Sequence, residues 1–209
     1  MGATNTTLAV EKLVSLGFKP GALISWGTAG AIQTGLQPGD LLIPGSVRTS
    51  DGSELKTCTA ARDLLRELLQ VNAVTVHDGS LLEAKDVINT VAVKQALARD
   101  TGAVAVDMES AELGRIAETR GIPFLVIRTI VDAADQSIPE AVTRTIDECG
   151  NVRILGLAKE LLYKPVLVMT LFRLSRAMHT ACKTLEMVAN KTDKLSEVTD
   201  IMLANTSLG

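Results

Sequence analysis

Short polar segments at the ends of apolar runs carry the side chains that could do chemistry in this sequence. Asp107-Met108-Glu109-Ser110 follows the apolar run Ala103 to Val106. Asp132 follows the run Phe124 to Val131, with Asp135 close behind, and Gly27-Thr28-Ala29-Gly30 follows Ala22 to Trp26. Each has an ordinary structural explanation when taken alone. Asp107 or Ser110 can cap a helix, and Glu109 gains from the field of a helix N-terminus without any function. Turn acids satisfy backbone donors, and a tight strand-to-helix turn calls for glycine. Together they make a different object. A carboxylate accepts paired hydrogen bonds from the vicinal hydroxyls of a sugar. A partly buried aspartic acid can protonate a leaving purine nitrogen, because burial favours its neutral form. A glycine-rich turn lets backbone N–H groups meet an anion or a sugar hydroxyl.

The elements that must position these groups alternate between strand and helix. Apolar residues recur at helical spacing from Thr6 to Leu16, with Gly17 as a stop. Ala22 to Trp26 reads as a strand ending in a glycine-rich turn, and Asp40 to Val47 as a second strand. A helix over Ala61 to Leu69, a strand over Ala73 to Val76 and a helix over Val91 to Arg99 follow. Then come a strand over Ala103 to Val106, a helix from about Glu109 to Thr119 and a strand over Phe124 to Val131. Apolar strands in this rhythm predict an α/β fold in three layers, α/β/α, around a mixed, mostly parallel sheet covered on both faces. Such sheets bind ligands beyond the carboxyl ends of their strands, where the acids sit.

From about Glu140 to Leu203 the pattern is helical only, with a break near Lys164-Pro165. The expected division is an α/β domain over 1–160 and a helical extension over 161–209. The apolar stretch Val166 to Met178 carries only two arginines among its charged residues. Its plainer reading is a helix packed on the sheet or on a second subunit. Its sharper reading is a greasy lip that admits a lipid-like substrate or touches a membrane surface.

Composition narrows the class. The chain has 209 residues, 46% hydrophobic and 22% charged, which suits a globular protein with a core of its own. Aromatics make up 2%, so that core must be aliphatic. The net charge of −3 and the lack of a basic run argue against nucleic acid as the partner. Cys58, Cys149 and Cys182 are scattered, and His77 and His179 are the only histidines, so no metal-ligand spacing appears. No signal-peptide pattern and no membrane-span length of apolar residues is present, and the expected location is cytoplasmic.

Several segments resemble the nucleoside phosphorylase superfamily that includes methylthioadenosine/S-adenosylhomocysteine nucleosidases. They are GTAGAIQTGLQPGDLLIP from Gly27 to Pro44, VDMESAELGRIAETRGIPFLVIRTIVDAAD from Val106 to Asp135, and DVIN from Asp86 to Asn89. The DMES form, the IVDAADQSIP continuation and the helical tail with its Lys-Pro step are similar to the hopanoid-associated phosphorylase branch. That branch is linked to removal of adenine from adenosylhopane. The resemblance implies cleavage of a purine nucleoside's N-glycosidic bond, by hydrolysis or phosphorolysis. It implies Met108 under the ribose, Glu109 on the 2′- and 3′-hydroxyls, and Asp132 hydrogen-bonding the purine and protonating N7. Val87 falls where the family often stacks an aromatic on the purine, and the Ile88 backbone would meet the base edge. Thr28, Ala29 and Gly30 would line the ribosyl and nucleophile side. No metal or organic cofactor is implied, with phosphate as a candidate co-substrate, and a homo-oligomer is expected.

The chain also departs from that pattern. In the family a first strand and a glycine turn precede the helix that begins here near Thr4, so the first strand is expected to be missing. Ser25 and Trp26 stand where the phosphorylases often place an arginine, which leans towards hydrolysis. Arg48 and Arg128 remain as anion partners, with Arg128 alternatively pairing an internal acid. A methylthioadenosine/S-adenosylhomocysteine hydrolase and a non-catalytic nucleoside-binding protein are the competing readings. A dinucleotide-binding oxidoreductase is disfavoured because GTAGA is not GxGxxG.

Overall fold

The mainly apolar segment FLVIRTIVD becomes the strand around which the molecule is built. In the computed structural model, which describes residues 2–69, 74–139, 166–190 and 192–206, this strand spans Phe124–Asp132. The strands in chain order are β1 (Leu23–Ala31), β2 (Leu41–Leu42), β3 (Ser46–Arg48), β4 (Glu54–Lys56), β5 (Val76–His77), β6 (Ser80–Glu83), β7 (Ala105–Asp107) and β8 (Phe124–Asp132). The helices are α1 (Gly2–Ser15), α2 (Thr59–Leu69), α3 (Val91–Thr101), α4 (Ser110–Arg120), α5 (Val166–Ala189) and α6 (Thr192–Thr206).

The strands form one 8-stranded sheet in the order β4-β3-β6-β7-β1-β8-β2-β5. Pairing is parallel for β1–β8, β3–β6, β6–β7 and β2–β5. It is antiparallel for β1–β7, β2–β8 and β3–β4. The mixed α/β sheet expected from the sequence is therefore present.

Alternation along β8 shows why both faces are covered. Val126 and Ile130 enter one core cluster with Ala111 and Ala117 of α4. Leu125 and Ile127 enter a second with Leu65 and Leu69 of α2, Val188 of α5 and Val198 and Met202 of α6. Successive strand residues point to opposite faces, so a strand apolar on both faces is what double coverage requires, with Arg128 and Thr129 as the polar exceptions here. Gly114 lies inside α4, where glycine costs about 1 kcal/mol relative to alanine. A Cβ there would lie 2.8 Å from Leu55 Cδ1. The glycine thus lets α4 sit close against the sheet.

Caps set the flanks of the site. Thr90 Oγ1 accepts from Val93 N at the start of α3, and Gly102 (φ 67°) closes that helix in the left-handed region. Gly121 (φ 63°) does the same for α4, and Pro123 then leads into β8. The C-terminal half of α5 packs on the sheet, whereas Val168, Met169, Phe172 and Met178 of the apolar stretch that precedes it are exposed. Ala177, Ala181, Thr184 and Val188 of α5 are buried at helical spacing. Thr129 of β8 donates to Ala181 O, and Thr184 donates to Gly39 O. The expected helix and break between Glu140 and Pro165 lie outside the described residues.

Some expectations need correction. Gly27 to Gly30 is not a turn: β1 runs through it to Ala31. Neither glycine has a positive φ, and their backbones are tied to β8 and β7 instead of forming an anion cradle. The single strand expected over Asp40 to Val47 is split into β2 and β3 around Pro44-Gly45. Strands β4 and β6 were not anticipated; β4 is too short and polar to show an alternating pattern.

Candidate active site

The C-terminal ends of β6, β7 and β8 and the last residues of β1 meet around a cleft of about 400 Å³, within the usual size for small-molecule sites. β1 contributes Thr28, Ala29 and Gly30, and the segment after β6 contributes Asp86, Val87 and Ile88. The β7–α4 junction contributes Asp107, Met108 and Glu109, and β8 contributes Val131 and Asp132. Ile138 and two residues of α5, Leu174 and Met178, form an apolar wall. Both acids singled out from the sequence thus face one cavity, although 23 positions separate 109 from 132.

Asp132 is aimed by a local irregularity. The β1–β8 register steps from Ala29↔Ile130 to Gly30↔Asp132, leaving Val131 as the extra residue of a bulge. Bulges re-aim a side chain beside a site. Here the bulge sets Asp132 against Gly30, where an added Cβ would lie 2.9 Å from Asp132 Oδ1. The carboxyl is buried (5% exposed). Burial pushes its pKa up, and this outweighs the lowering by the hydrogen bond and charge of Lys94. Such a carboxyl is suited to hold a proton and give it up.

Lys94, on α3, was missed by sequence reasoning. Its side chain is completely buried and forms an ion pair with Asp132 Oδ2. It also donates to Ala133 O at 2.8 Å and Gln136 O at 3.0 Å. The available signal was positional: Lys94 heads the inward stripe that continues through Leu97 and Ala98.

Glu109 occupies the N-cap position of α4, yet its side chain makes no capping hydrogen bond. Its half-buried carboxylate faces the cleft instead. Asp107 takes the structural role: it accepts from the Ser110 backbone N–H and hydroxyl and from Arg128 Nε at 2.7 Å.

Arg128 is the sequence-predicted contact residue that does not line this cleft; it lines an adjoining pocket together with Thr28 and Glu109. It is 2% exposed and is engaged by Asp107, Ser25 Oγ and Ser110 Oγ. The cause is its place within β8, where its side chain enters the protein interior and takes the internal acid. Gly27 makes room for it, since a Cβ there would lie 2.4 Å from Arg128 Nη1. Arg48 is exposed on β3 and does not line the cleft. Among the described residues no cluster of His, Cys, Asp or Glu could hold a metal ion, and no helix is long and apolar enough to cross a membrane.

Comparison with known proteins places this geometry in context. The family model described as "Phosphorylase superfamily" matches residues 1–155. A 5′-methylthioadenosine/S-adenosylhomocysteine nucleosidase of Exiguobacterium sp. is 29% identical over 155 residues, covering 64% of this chain and 63% of that protein. The corresponding nucleosidase of Staphylococcus aureus is 26% identical over 150 residues, covering 64% of each. The match therefore spans less than two thirds of these relatives' own length. Among solved structures, the Helicobacter pylori 5′-methylthioadenosine/S-adenosylhomocysteine nucleosidase superposes with a TM-score of 0.62 at 18% identity, covering 91% of this chain and 77% of that one. The Helicobacter pylori futalosine hydrolase gives 0.63 at 17% identity, covering 91% and 76%.

Proposed function

The chain belongs to the phosphorylase superfamily, and from that premise we propose that its cleft binds a purine nucleoside and cleaves the N-glycosidic bond. The observation that carries this reading is the pair of acids on one cavity. Asp132 has its pKa raised by burial, and Glu109 carries a carboxylate that no cap engages.

In this reading Glu109 accepts the 2′- and 3′-hydroxyls of the ribose, with Met108 beneath the sugar and Thr28, Ala29 and Gly30 along its nucleophile side. Val87 and the Ile88 backbone flank the base. As C1′–N9 breaks, its electron pair passes into the purine and Asp132 delivers a proton to N7. The sugar is left with oxocarbenium character, which the Glu109 carboxylate stabilises electrostatically. Water or phosphate then bonds to C1′. With water, the proton released as the C1′–O bond forms restores the Asp132 carboxyl through solvent; with hydrogen phosphate, the proton left on the new sugar phosphate is released to the same end.

Leu174, Met178 and Ile138 support a finer assignment. An apolar wall suits an apolar 5′ substituent, and Met178 is still 46% exposed, which leaves that wall open to solvent. The favoured substrate is an adenosine with an extended apolar 5′ chain, such as a hopanoid-linked adenosine. The named activity of the matched relatives favours 5′-methylthioadenosine or S-adenosylhomocysteine as the second reading.

The test is adenine release from each of these nucleosides, with and without phosphate. The expected result is release from at least one, with a higher kcat/KM for the apolar chain. Equal or better turnover of S-adenosylhomocysteine would support the second reading. Adenine binding with no release from any of them would leave a nucleoside-binding protein.

A further inference from the structure

The buried cation beside the acid has no role in the mechanism above. We infer that Lys94 is the positioning residue of the general acid: its ammonium fixes one carboxyl oxygen of Asp132 and neutralises the carboxylate left when the proton passes to the purine. This inference rests on the nucleoside-cleaving reading of the same site.

The geometry assigns the two oxygens of Asp132 different tasks. Oδ2 is held by Lys94. Oδ1 is turned towards β1, in the space left by the absent side chain of Gly30. The ammonium donates to Asp132 Oδ2, Ala133 O and Gln136 O, so each of its N–H bonds has an acceptor. Two of those acceptors are backbone carbonyls just after β8. The cation is therefore anchored independently of the carboxyl that it orients.

Charge accounting gives the arrangement its purpose. In the form that enters the proposed reaction, Asp132 carries the proton and Lys94 the local positive charge. When C1′–N9 breaks and N7 takes the proton, Asp132 becomes a carboxylate shielded from water. A buried unpaired carboxylate is strongly disfavoured, and Lys94 is already in contact to pair it. Few other charges reach the carboxyl. The β7–α4 junction brings Asp107, which is occupied by Arg128, and Glu109 across the cleft. The segment after β6 brings Asp86 to the wall of the cavity. Gly30 from β1 and Leu174 and Met178 from α5 are uncharged. Among the described residues, Lys94 is the cation that faces it.

A positioning role has a signature that a packing role lacks. Removing the cation raises the pKa of Asp132 further, so the acid keeps its proton to higher pH but releases it less readily. Lys94→Met is therefore expected to lower kcat by about 10- to 100-fold, part of the 10²- to 10⁴-fold that a positioned acid supplies. The alkaline limb of the kcat–pH profile should move to higher pH, and KM should stay within about threefold. The titration of the ¹³C-labelled Asp132 carboxyl, assigned with Asp132→Asn, should move up with it. A folded Lys94→Met variant with an unmoved limb and an unmoved carboxyl titration overturns the inference. If that variant does not fold, Lys94→Gln takes its place with the same expectations. The unmutated protein adds a control that needs no variant. There the ¹⁵Nζ resonance of Lys94 should shift at the pH where Asp132 titrates, and an insensitive resonance overturns the inference. Failure of the nucleoside-cleaving reading looks different: the unmutated protein releases no purine, while the two resonances still titrate together.

Discussion

Gly30 and Asp132 face each other across the β1–β8 bulge, close enough that a single carbon added to Gly30 would lie 2.9 Å from Asp132 Oδ1 and 3.4 Å from its Cγ. Lys94 holds the other oxygen, so the carboxyl cannot swing away freely. Gly30→Ala should therefore displace the acid without straining the backbone, which has no positive φ at this position. Small misplacements of a reacting group cost about 100-fold. We expect kcat to fall by about that factor with a thermal midpoint close to that of the unmutated protein. A variant with unaltered kcat would mean that the acid has room to spare.

Asp132→Asn keeps the shape of the side chain and an oxygen for Lys94, but it has no acidic proton to deliver. Turnover should fall by about 10²- to 10⁴-fold, with purine binding retained in calorimetry. Near-normal turnover would remove Asp132 from the acid role.

Glu109 separates function from capping. Because its side chain makes no cap hydrogen bond, Glu109→Gln should change unfolding free energy by no more than about 0.5 kcal/mol, as for other substitutions outside structural contacts. Its effect should fall on catalysis, with KM raised and kcat lowered by about tenfold each as charge-assisted bonds to the ribose are lost. Steady-state kinetics together with urea unfolding checks both halves. A large loss of stability with unchanged kinetics would return Glu109 to a structural role.

Arg128→Met should behave in the opposite way. It leaves Asp107, itself 5% exposed, without its cation. Breaking a buried pair by removing one partner costs about 3–5 kcal/mol. Denaturant unfolding should show this loss directly, whereas an arginine that met only substrate would change KM and spare stability.

The acids were legible because a strand end followed by a carboxylate is a local pattern, complete within a few residues at 107–110 and at 124–132. The purpose of the glycines was not. Gly27 and Gly30 read as a turn because turns are the commonest local use of glycine. Their actual use is to leave space for Arg128 and Asp132, about a hundred positions away. Lys94 was hidden for the same reason. A lysine within VAVKQALARD is taken for a solvated side chain, and only the approach of β8 supplies the carboxylate and carbonyls that permit its burial. Arg128 lay between these cases, since an arginine inside an apolar strand signals an internal acid without naming it.

Stability in acid tests a contact at the rim of the cleft. Glu83 ends β6, next to cleft-lining Ala84, and its carboxylate meets Arg115 through both oxygens, at 2.9 and 2.8 Å, while also accepting from Ser50 N. The Arg115 hydrogen bonds hold its pKa below the ordinary glutamate value against the opposing effect of burial. An acid with a depressed native pKa binds fewer protons folded than unfolded. Its contribution is therefore complete above the unfolded-state pKa and is lost as pH falls through the native one. Glu83→Gln should lower stability at neutral pH by about 1 kcal/mol, a modest figure because Arg115 is partly exposed. It should also flatten the fall of the thermal midpoint between neutral pH and about pH 3, because the variant has no proton to take up at this position. Neutral-pH kcat should stay within about threefold, since the pair lies behind the wall of the cleft and not on it. An acid limb as steep in the variant as in the unmutated protein would show that other carboxylates govern acid unfolding and that this ion pair contributes little.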